Sequence, residues 1–321
     1  MIPFCAAVDW GTSRFRLWLL AEDGGVLNHI SSNEGLQKSG EIGFEKILEG
    51  HLANLGCEKD LPVIICGMAG SRSGWQEAKY LDAPIELAQC IRHSIQVANP
   101  TRAIHILPGI AQRNPQHADV MRGEETQLLG MLDLRDHDRD RSTQIVCMPG
   151  THSKWVELEN DKLQHFATFM TGELFALLKN HSVLKMAVEN SSKVAADDPV
   201  FVEHFDKARS NPEAFSTHLF SLRSSQLLGY ASPFGGLAAL SGCLIGLEFA
   251  GALPKFGNPG SLVLLASGNL GDLYQAAFNH LEIETQRLDA EAAGLNGLFV
   301  SAKALWGGQN QLNVKTQIGT A

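Results

Sequence analysis

A strand, a Gly-Thr turn and two further strands occur twice in this sequence, and this repeat constrains the fold more than any other feature. The first copy contains FCAAVD, GTS, RFRLWLL, EDGG and VLNHIS within residues 4–31; the second reads TQIVCMPGTHSKWVELENDKLQHFATFM at residues 143–170. Polar and apolar residues alternate along 14–19, which is the two-residue period of a strand. A helical pattern follows each copy, so we predict a duplicated α/β fold with a cleft between its halves. The alternative is a coincidence between two turns of a common type.

The repeat also predicts the domain organisation. A chain of 321 residues is long enough for two domains of ordinary size. We assign residues 1–121 to the first domain and 122–299 to the second. We expect a C-terminal helix at about 300–321 to cross back to the first domain. The charged run RDHDRDR at residues 135–141 is typical of a solvated connection.

Composition and charge exclude several classes of partner. Hydrophobic residues make up 44% of the chain and charged residues 19%, which is typical of a soluble globular protein. The formal net charge of -9 argues against nucleic acid or an anionic membrane as a partner, because both require a basic face. The uncharged segment at residues 229–247 approaches the length of a membrane span, but Pro233 and several Gly and Ser residues favour a buried helix.

The cysteines and the N-terminus predict a cytoplasmic protein. The six cysteines are scattered, without CxxC pairs or zinc-ligand spacing, so we interpret them as buried thiols in a reducing compartment. The N-terminus has no basic region before its short apolar run, which argues against a signal peptide.

The first Gly-Thr turn has the residues of a phosphate site. Gly11, Thr12 and Ser13 can direct backbone N–H groups and two hydroxyls toward one point, and such a concavity binds anions. Asp9 lies at the end of the preceding strand, where an unpaired carboxylate is costly to bury. A Mg²⁺ ion brought by a nucleotide, and contacted through water, would offset that cost. The alternative is that Asp9 only caps the turn.

The second turn strengthens the nucleotide hypothesis. Gly150 and Thr151 repeat the Gly-Thr corner, but Met148 stands at the position equivalent to Asp9. Only the first copy therefore has a metal-binding carboxylate, as expected if one nucleotide needs one set of metal ligands. Three residues add donors at this corner: His152, Ser153 and Lys154. His152 can instead cap its turn, and Lys154 can be an ordinary solvated side chain. Ser267 and Gly268, in the strand-glycine-helix segment LLASGNLGDLY, resemble an adenosine pocket, although such turns are common.

A candidate general base lies at the start of a helical pattern between the two copies. Phosphoryl transfer to a hydroxyl often uses a carboxylate to accept the proton. Glu124 in DVMRGEETQLLG is our candidate, and Glu125 is its close rival. The alternative is that both residues only stabilise the helix N-terminus.

These motifs together resemble the actin, heat-shock chaperone and sugar kinase superfamily. DWGTSRFR resembles its first phosphate motif, which implies ATP-binding roles for Gly11, Thr12 and Arg16 and a metal role for Asp9. GMAGSR resembles the substrate loop, and GEETQLLG resembles the interdomain helix start, where the catalytic residue is Asp in the family and Glu124 here. The base among Glu124, Glu125 and Asp119 stays open. The resemblance implies a two-domain, ribonuclease H-like fold.

Longer strings resemble the 2-dehydro-3-deoxygalactonate kinase family: CGMAGSRSGWQEAKYL, DVMRGEETQLLG, PGTHSKW and FMTGELFALL. Membership implies transfer of the ATP γ-phosphate to the C6 hydroxyl of a six-carbon 2-keto-3-deoxy sugar acid in galactonate catabolism, with Mg²⁺. Arg72, beside Ser71, can pair with the acid's carboxylate, since Arg offers bidentate hydrogen bonds. Trp75 and Tyr80 can form a wall of the sugar pocket, or pack as core or lid aromatics.

Two alternatives stay open on sequence alone. The first is a kinase of the same fold that acts on another sugar or sugar acid. The second is an actin-like or chaperone-like ATPase, which would need a peptide-binding module or polymer-forming surface that the chain has little length to supply. A sugar-responsive repressor would need a helix-turn-helix and a basic face, and the sequence shows neither. The stereochemistry at C4 and the oligomeric state, with a homodimer among the options, are not fixed by the sequence.

Overall fold

The computed structural model describes residues 2–134, 143–189, 194–232, 234–257, 259 and 261–308. The predicted charged connection at 135–141 and the part of the predicted C-terminal helix at 309–321 lie outside the described residues.

The strands of the described chain include both predicted three-strand repeats. In chain order they are β1 Cys5–Trp10, β2 Phe15–Leu20, β3 Val26–Ser32, β4 Val63–Gly67, β5 Leu81–Asp82, β6 Ile85–Glu86, β7 Ile95–Val97, β8 Ile104–Ile106, β9 Ile110–Gln112, β10 Asp119–Met121, β11 Gln144–Met148, β12 Ser153–Glu159, β13 Lys162–Phe169, β14 Ser261–Leu265 and β15 Glu284–Leu288.

The described chain also contains eleven α-helices, among them those predicted after each three-strand repeat. In chain order they are α1 Leu36–Ile42, α2 Phe44–Asn54, α3 Gln89–Arg92, α4 Glu124–Leu134, α5 Thr171–His181, α6 Lys185–Val188, α7 Pro199–Ser210, α8 Phe215–Leu227, α9 Gly236–Phe256, α10 Gly268–His280 and α11 Ala290–Trp306.

The chain forms two compact units. Unit 1 comprises Met1–Asp140, Asp161–Leu163 and Glu291–Ala321, and unit 2 comprises Arg141–Asn160 and Gln164–Ala290. This division places α4 and nearly all of α11 in unit 1. The boundaries predicted from the sequence, at 121/122 and about 299/300, instead place α4 and the first half of α11 in the second domain. Those domain boundaries stay a prediction.

The two units share an order of five strands, β3-β2-β1-β4-β8 in unit 1 and β13-β12-β11-β14-β15 in unit 2, which confirms the predicted two-domain α/β fold. In unit 1 the order is β3-β2-β1-β4-β8-β7, with β1 antiparallel to β2 and parallel to β4. In unit 2 the order is β15-β14-β11-β12-β13, with β11 antiparallel to β12 and parallel to β14. Each unit therefore begins with an antiparallel three-strand meander whose first strand pairs in parallel with a later strand.

Each sheet carries a buried core. In unit 1, Val8 and Ile65 from β1 and β4 pack with Leu48 of α2, and all three are fully buried. In unit 2, Trp155 of β12 packs with Phe249 of α9 and Phe278 of α10. Burial of such side chains stabilises each by roughly 1.5–3 kcal/mol relative to exposure.

The uncharged segment forms a core helix of unit 2. α9 begins at Gly236 rather than near residue 229, and it is long and apolar enough to cross a membrane by length and composition, but 67% of its apolar window is buried inside the protein. α7 approaches its backbone closely, because a Cβ placed on Gly246 would lie 2.3 Å from the carbonyl oxygen of Phe205. The predicted buried helix is thus confirmed.

Candidate active site

Asp9 and Arg16 form the polar centre of unit 1. The two residues are paired neighbours on antiparallel β1 and β2, so their side chains project from the same face of the sheet. Arg16 Nη2 donates to Asp9 Oδ2 at 2.8 Å, and the two side chains are 35% and 27% exposed. The pair is therefore partly buried and still open to a ligand.

Further carboxylates make this centre electronegative. Burial raises the pKa of Asp9; Arg16 opposes that rise, while Glu124 and Glu291 add to it. Glu291 Oε2 lies 3.6 Å from Arg16 Nη1. The Arg16 guanidinium thus lies between two carboxylates, those of Asp9 and Glu291. Glu291 was missed at the sequence level, because it lies 282 positions after Asp9 and nothing near it resembles a motif.

This donor set fits a hard divalent cation. Magnesium prefers carboxylate and water oxygens and is commonly held by one or two carboxylates plus phosphate oxygens. Asp9 has one oxygen engaged by Arg16 and a raised pKa. A cation at this point would offset both causes of the raised pKa: the burial of Asp9 and the repulsion from the neighbouring carboxylates.

The first Gly-Thr corner lies next to this pair and is exposed. Gly11 N–H donates to the carbonyl of Arg14 at 2.8 Å, which closes the turn, while Thr12 and Ser13 point their side chains into solvent. The chain packs tightly behind the turn, because a Cβ on Gly35 would lie 2.5 Å from the Thr12 carbonyl oxygen. The backbone of the corner is thus fixed by packing against Gly35, while the side chains of Thr12 and Ser13 are exposed to solvent.

The two adjacent glutamates at the start of α4 have different environments. Glu124 is partly exposed, and its Oε2 accepts from the Arg122 backbone N–H at 3.0 Å. Glu125 is buried, and both of its oxygens accept from the Gly123 N–H at 2.7 and 2.9 Å. Burial and the neighbouring Glu124 raise the pKa of Glu125 to about 8. Glu124 is therefore the more exposed carboxylate of the two, and its role as a base stays a prediction.

Asp119, the third candidate base, lies on β10. It is half-buried, and its Oδ1 accepts from the Val120 N–H at 2.7 Å. Glu124, by comparison, lies close enough to Asp9 to raise the pKa of that carboxyl group. Glu124 is therefore the better placed of the two.

Within the described chain, buried donors without partners lie in and beside the loop that follows β4. Ser71 Oγ, Arg122 Nε and Arg122 Nη1 are buried and have no hydrogen-bond partner among the described residues. Arg122 Nη1 would lie 2.8 Å from a Cβ on Gly70, so the guanidinium borders the loop that carries Ser71. Unsatisfied buried donors are costly, and they are expected where a ligand supplies the acceptors. Arg122 was missed from the sequence, although it directly precedes the recognised GEETQLLG string.

The sequence offered two roles for Trp75 and Tyr80, a wall of the sugar pocket or packing in the core, and the two residues have different environments. Trp75 packs against Trp10 and Phe44 with ring centroids 6.2 Å away in each case, so it belongs to the unit 1 core. The Arg122 guanidinium stacks over the Tyr80 ring at 4.3 Å, which orients the arginine. Arg72 is exposed. The substrate roles of all three predicted residues stay predictions.

The second Gly-Thr corner repeats the packing of the first. Glu173 N–H donates to the Thr151 carbonyl at 2.9 Å, and a Cβ on Gly172 would lie 2.4 Å from the Gly150 carbonyl oxygen. Thr151 is exposed. The N-terminus of α5 therefore supports this corner as the chain at Gly35 supports the first.

The three polar residues after this corner occupy different positions. His152 is exposed and pairs with Glu173. Ser153 is fully buried, and Lys154 is buried with Nζ donating to the His152 carbonyl at 3.1 Å. The ATP-binding roles predicted for them stay predictions, and Ser153 and Lys154 would have to act from beneath the corner.

A buried polar network lies under this corner. Glu248 of α9 accepts hydrogen bonds from Thr171, from Trp155 Nε1 at 2.9 Å and from Tyr274 at 2.6 Å. Ser153 Oγ lies 3.1 Å from the Tyr274 hydroxyl. Burial raises the pKa of Glu248, and its three donors oppose that rise. The network ties α5, α9 and α10 to the corner; only the lone Glu in an apolar helix signals it in the sequence.

A cavity of about 400 Å³ opens beside the second corner within unit 2. Its lining includes Gly150, Thr151, Gly172, Leu237, Asn269 and Tyr274. Ser267 and Gly268, which were predicted to contact adenosine, directly precede Asn269 at the N-terminus of α10. Ser267 Oγ donates to Asp289 at 2.6 Å, so this hydroxyl positions the turn. Mostly apolar cavities of this size with a few polar groups are typical small-molecule sites.

Comparison with known proteins adds an independent line of evidence. A family model described as 2-keto-3-deoxy-galactonokinase matches residues 9–301. The chain is 45% identical over 303 residues to "Probable 2-dehydro-3-deoxygalactonokinase DgoK1" of Rhizobium meliloti (strain 1021), covering 94% of this chain and 98% of that protein. It is 30% identical over 302 residues to the 2-dehydro-3-deoxygalactonokinase of Escherichia coli (strain K12), covering 93% and 97%.

A solved structure agrees with these matches. The crystal structure of a protein assigned as a 2-dehydro-3-deoxygalactonokinase from Sinorhizobium meliloti matches with a TM-score of 0.89 and 45% identity, covering 94% of this chain and 99% of that one.

Proposed function

Because the chain belongs to the 2-keto-3-deoxy-galactonokinase family, we propose that it is a carbohydrate kinase that transfers the γ-phosphoryl group of ATP to the C6 hydroxyl of 2-dehydro-3-deoxy-D-galactonate. The observation that carries this proposal is the cavity of about 400 Å³ that borders the Gly150–Thr151 corner. It joins a space of adenosine size to a turn at which Thr151 is exposed. A cytoplasmic location, where ATP is abundant, fits this activity.

Each unit, taken by itself, offers groups that can bind part of a nucleotide. The adenosine moiety occupies the cavity lined by Leu237, Asn269 and Tyr274, and its phosphates accept from Gly150 and Thr151. In unit 1, Gly11, Thr12 and Ser13 supply phosphate donors, as their exposure allows. Both corners are backed by tightly packed chain, which favours preorganised donors over mobile ones.

Asp9 is the residue that would hold Mg²⁺, through water, with Arg16 fixing the orientation of its carboxylate. When bound, the ion would neutralise phosphate charge during transfer. Glu124 accepts the proton of the C6 hydroxyl; it is partly exposed and lies close enough to Asp9 to raise its pKa. Such a base contributes roughly 10²–10⁴-fold to the rate.

The carboxylate of the sugar acid is assigned to Arg122 and Ser71. Their buried donors lack partners among the described residues, and a carboxylate supplies two acceptor oxygens in the geometry that a guanidinium prefers. Exposed Arg72 is the second candidate for this contact. A neutral sugar would leave these donors unsatisfied, so the pocket favours an acid.

The experiment is a substrate panel read by ADP release. It contains six-carbon 2-keto-3-deoxy acids that differ at C4, together with neutral hexoses, at equal MgATP. We expect the highest kcat/KM for the galactonate-derived acid. A preference for another acid or for a neutral sugar would show a different kinase of the same fold. ADP release stimulated by peptides, without a phosphorylated small molecule, would show a non-kinase ATPase.

A further inference from the structure

We propose that His204, His218 and Cys243 form a zinc site in the helical part of unit 2, separate from the residues assigned to phosphoryl transfer. Each residue comes from a different helix: α7, α8 and α9. Their ligand atoms all lie within 4.8 Å of one another. Imidazole nitrogen and thiolate sulfur are both ordinary zinc ligands, and three protein ligands leave a fourth tetrahedral position for water.

The distances between the ligand atoms fit one cation. Cys243 Sγ lies 3.7 Å from His204 Nδ1 and 3.7 Å from His218 Nε2. A tetrahedral zinc ion with ordinary bond lengths holds a sulfur and a nitrogen about 3.5 Å apart. The two nitrogens lie 2.9 Å apart and share a hydrogen bond. They need to separate by only a few tenths of an ångström to accept a metal in place of that proton.

The helix packing holds these residues together without the metal. A Cβ on Gly242 would lie 2.3 Å from the Phe201 carbonyl oxygen and 3.1 Å from the Cβ of His204. This close approach of α7 to α9 is possible only with a small residue at this position, and it places His204 against the neighbour of Cys243. The site is therefore largely preformed by the fold.

The surrounding charges allow a cation to bind. The charged side chains that act on these three residues are Glu203 and Lys207 of α7. These two form an ion pair with each other, so the ammonium group is balanced by a carboxylate. His204, Glu203 and Lys207 line a cavity of about 260 Å³, which gives a path to the His204 side of the cluster.

The protonation states are compatible with ligation. Burial, His218 and Lys207 lower the pKa of His204 to about 4, and burial also lowers the pKa of His218, so both imidazoles are neutral near pH 7. Burial raises the pKa of the Cys243 thiol to about 12. Binding of Zn²⁺ therefore releases one proton, from the thiol, and the imidazole that donates the His204–His218 hydrogen bond moves its proton to its second nitrogen.

The sequence alone does not reveal this cluster. The ligands are 14 and 25 residues apart, outside any short zinc motif. The expectation that the cysteines are buried thiols holds for Cys243, which is fully buried. The three helices bring the two histidines to it, and zinc would cross-link those helices.

The test measures metal binding directly on the full-length protein, stripped with a chelator. Titration with Zn²⁺ against a chromophoric competitor gives stoichiometry and affinity, and Co²⁺ substitution gives a thiolate-to-cobalt charge-transfer band. We expect one Zn²⁺ per chain and that band in the unsubstituted protein. Cys243→Ser should remove the band. His218→Ala should weaken zinc binding at least about 100-fold, because changing even a hydrogen-bond partner of a ligand costs about 10–100-fold and His218 is a direct ligand.

Matched controls separate this site from adventitious binding. Cys90→Ser removes another buried thiol, and His280→Ala removes another partly exposed imidazole; both should leave zinc stoichiometry and the cobalt band unchanged. Absence of stoichiometric zinc binding, a cobalt spectrum without the thiolate band, or equal loss in the controls would each overturn the proposal. If Cys243→Ser fails to fold by circular dichroism, His218→Ala on the partly exposed face decides the question.

Discussion

Arg16 donates from Nη2 to Oδ2 of Asp9 over 2.8 Å, between directly paired positions of two antiparallel strands. The same guanidinium reaches toward Glu291 at 3.6 Å, so it is shared by two carboxylates. Even with this partner, burial keeps the pKa of Asp9 raised. The ionised form of Asp9 is thus disfavoured by the fold, which is expected of a group retained for function rather than for stability.

Asp9→Asn should separate activity from stability. We expect kcat to fall on the order of 10²–10³-fold, because the residue assigned to the magnesium site loses its charge. The melting temperature should be unchanged or higher, since the amide removes a disfavoured charge. Steady-state ADP release and thermal melts check both parts. Asp23→Asn, in the β2–β3 turn, is the control with wild-type turnover; a clear drop in the Asp9→Asn melting temperature would indicate a structural role.

Glu124→Gln and Glu125→Gln should differ in their effects on turnover. Glu124 is partly exposed and assigned as the base, so its amide should lower kcat by roughly 10²–10⁴-fold with little change in the KM of either substrate. Glu125 is buried against the Gly123 N–H, so its amide should leave most of the turnover. The measurement is the two kinetic constants at pH 7. Near-normal turnover in Glu124→Gln would remove it from its assigned role.

Glu125 should also make stability depend on pH. Its pKa is raised to about 8 in the folded protein, above the ordinary value of 4.5, so the folded state binds the proton more tightly than the unfolded state. The free energy of unfolding should therefore fall as the pH rises from about 4.5 to about 8, by up to about 1.4 kcal/mol per pH unit from this group. Chemical denaturation of wild type and Glu125→Gln across that range measures the slope. Identical slopes would show that Glu125 ionises freely.

Arg122→Met should weaken recognition of the acid but not of ATP. Removing a charged hydrogen-bond donor costs about 1.5–3 kcal/mol, which corresponds to roughly 10–100-fold in kcat/KM for the sugar acid. The KM for ATP should stay within about twofold. Arg72→Met, measured in parallel, identifies which arginine pairs with the carboxylate, and Arg113→Met is an exposed control. An equal loss for a neutral substrate analogue would mean that Arg122 only supports the loop.

Ser241→Phe should block the proposed adenosine cavity. Ser241 is buried in the cavity wall on α9, and a phenyl ring there would fill part of the about 400 Å³. We expect the Kd for ATP, measured by calorimetry, to rise at least tenfold. Ser216→Phe on the exposed face of α8 should leave it unchanged. Unaltered ATP affinity in a folded Ser241→Phe variant would place the adenosine elsewhere.

The sequence predicts the repeated architecture because its determinants are local. Two Gly-Thr corners, each followed by alternating strands and a polar turn, are enough to indicate β1–β3 and β11–β13. The three-stranded sheet β10-β9-β5 was not anticipated, since its strands are only two or three residues long. The start of α9 was placed too early, because hydropathy alone does not distinguish the loop before Gly236 from the helix.

The candidate site was predictable only where it depends on neighbours in sequence. Asp9, Gly11 and Thr12 form one short string, so their common role can be read from it. Glu291 and Arg122 act through contacts that the fold creates, with a salt bridge to Arg16 in one case and unpartnered buried donors in the other. Neither contact leaves a pattern in the chain.

The most direct measurement of the central claim identifies the product. The protein is incubated with MgATP and 2-dehydro-3-deoxy-D-galactonate, and the mixture is analysed by phosphorus NMR and mass spectrometry. We predict one phosphomonoester per ADP, with its phosphorus signal split by the two protons of the C6 methylene group. Formation of ADP with inorganic phosphate alone, or of a phosphoester at another carbon, would contradict the account.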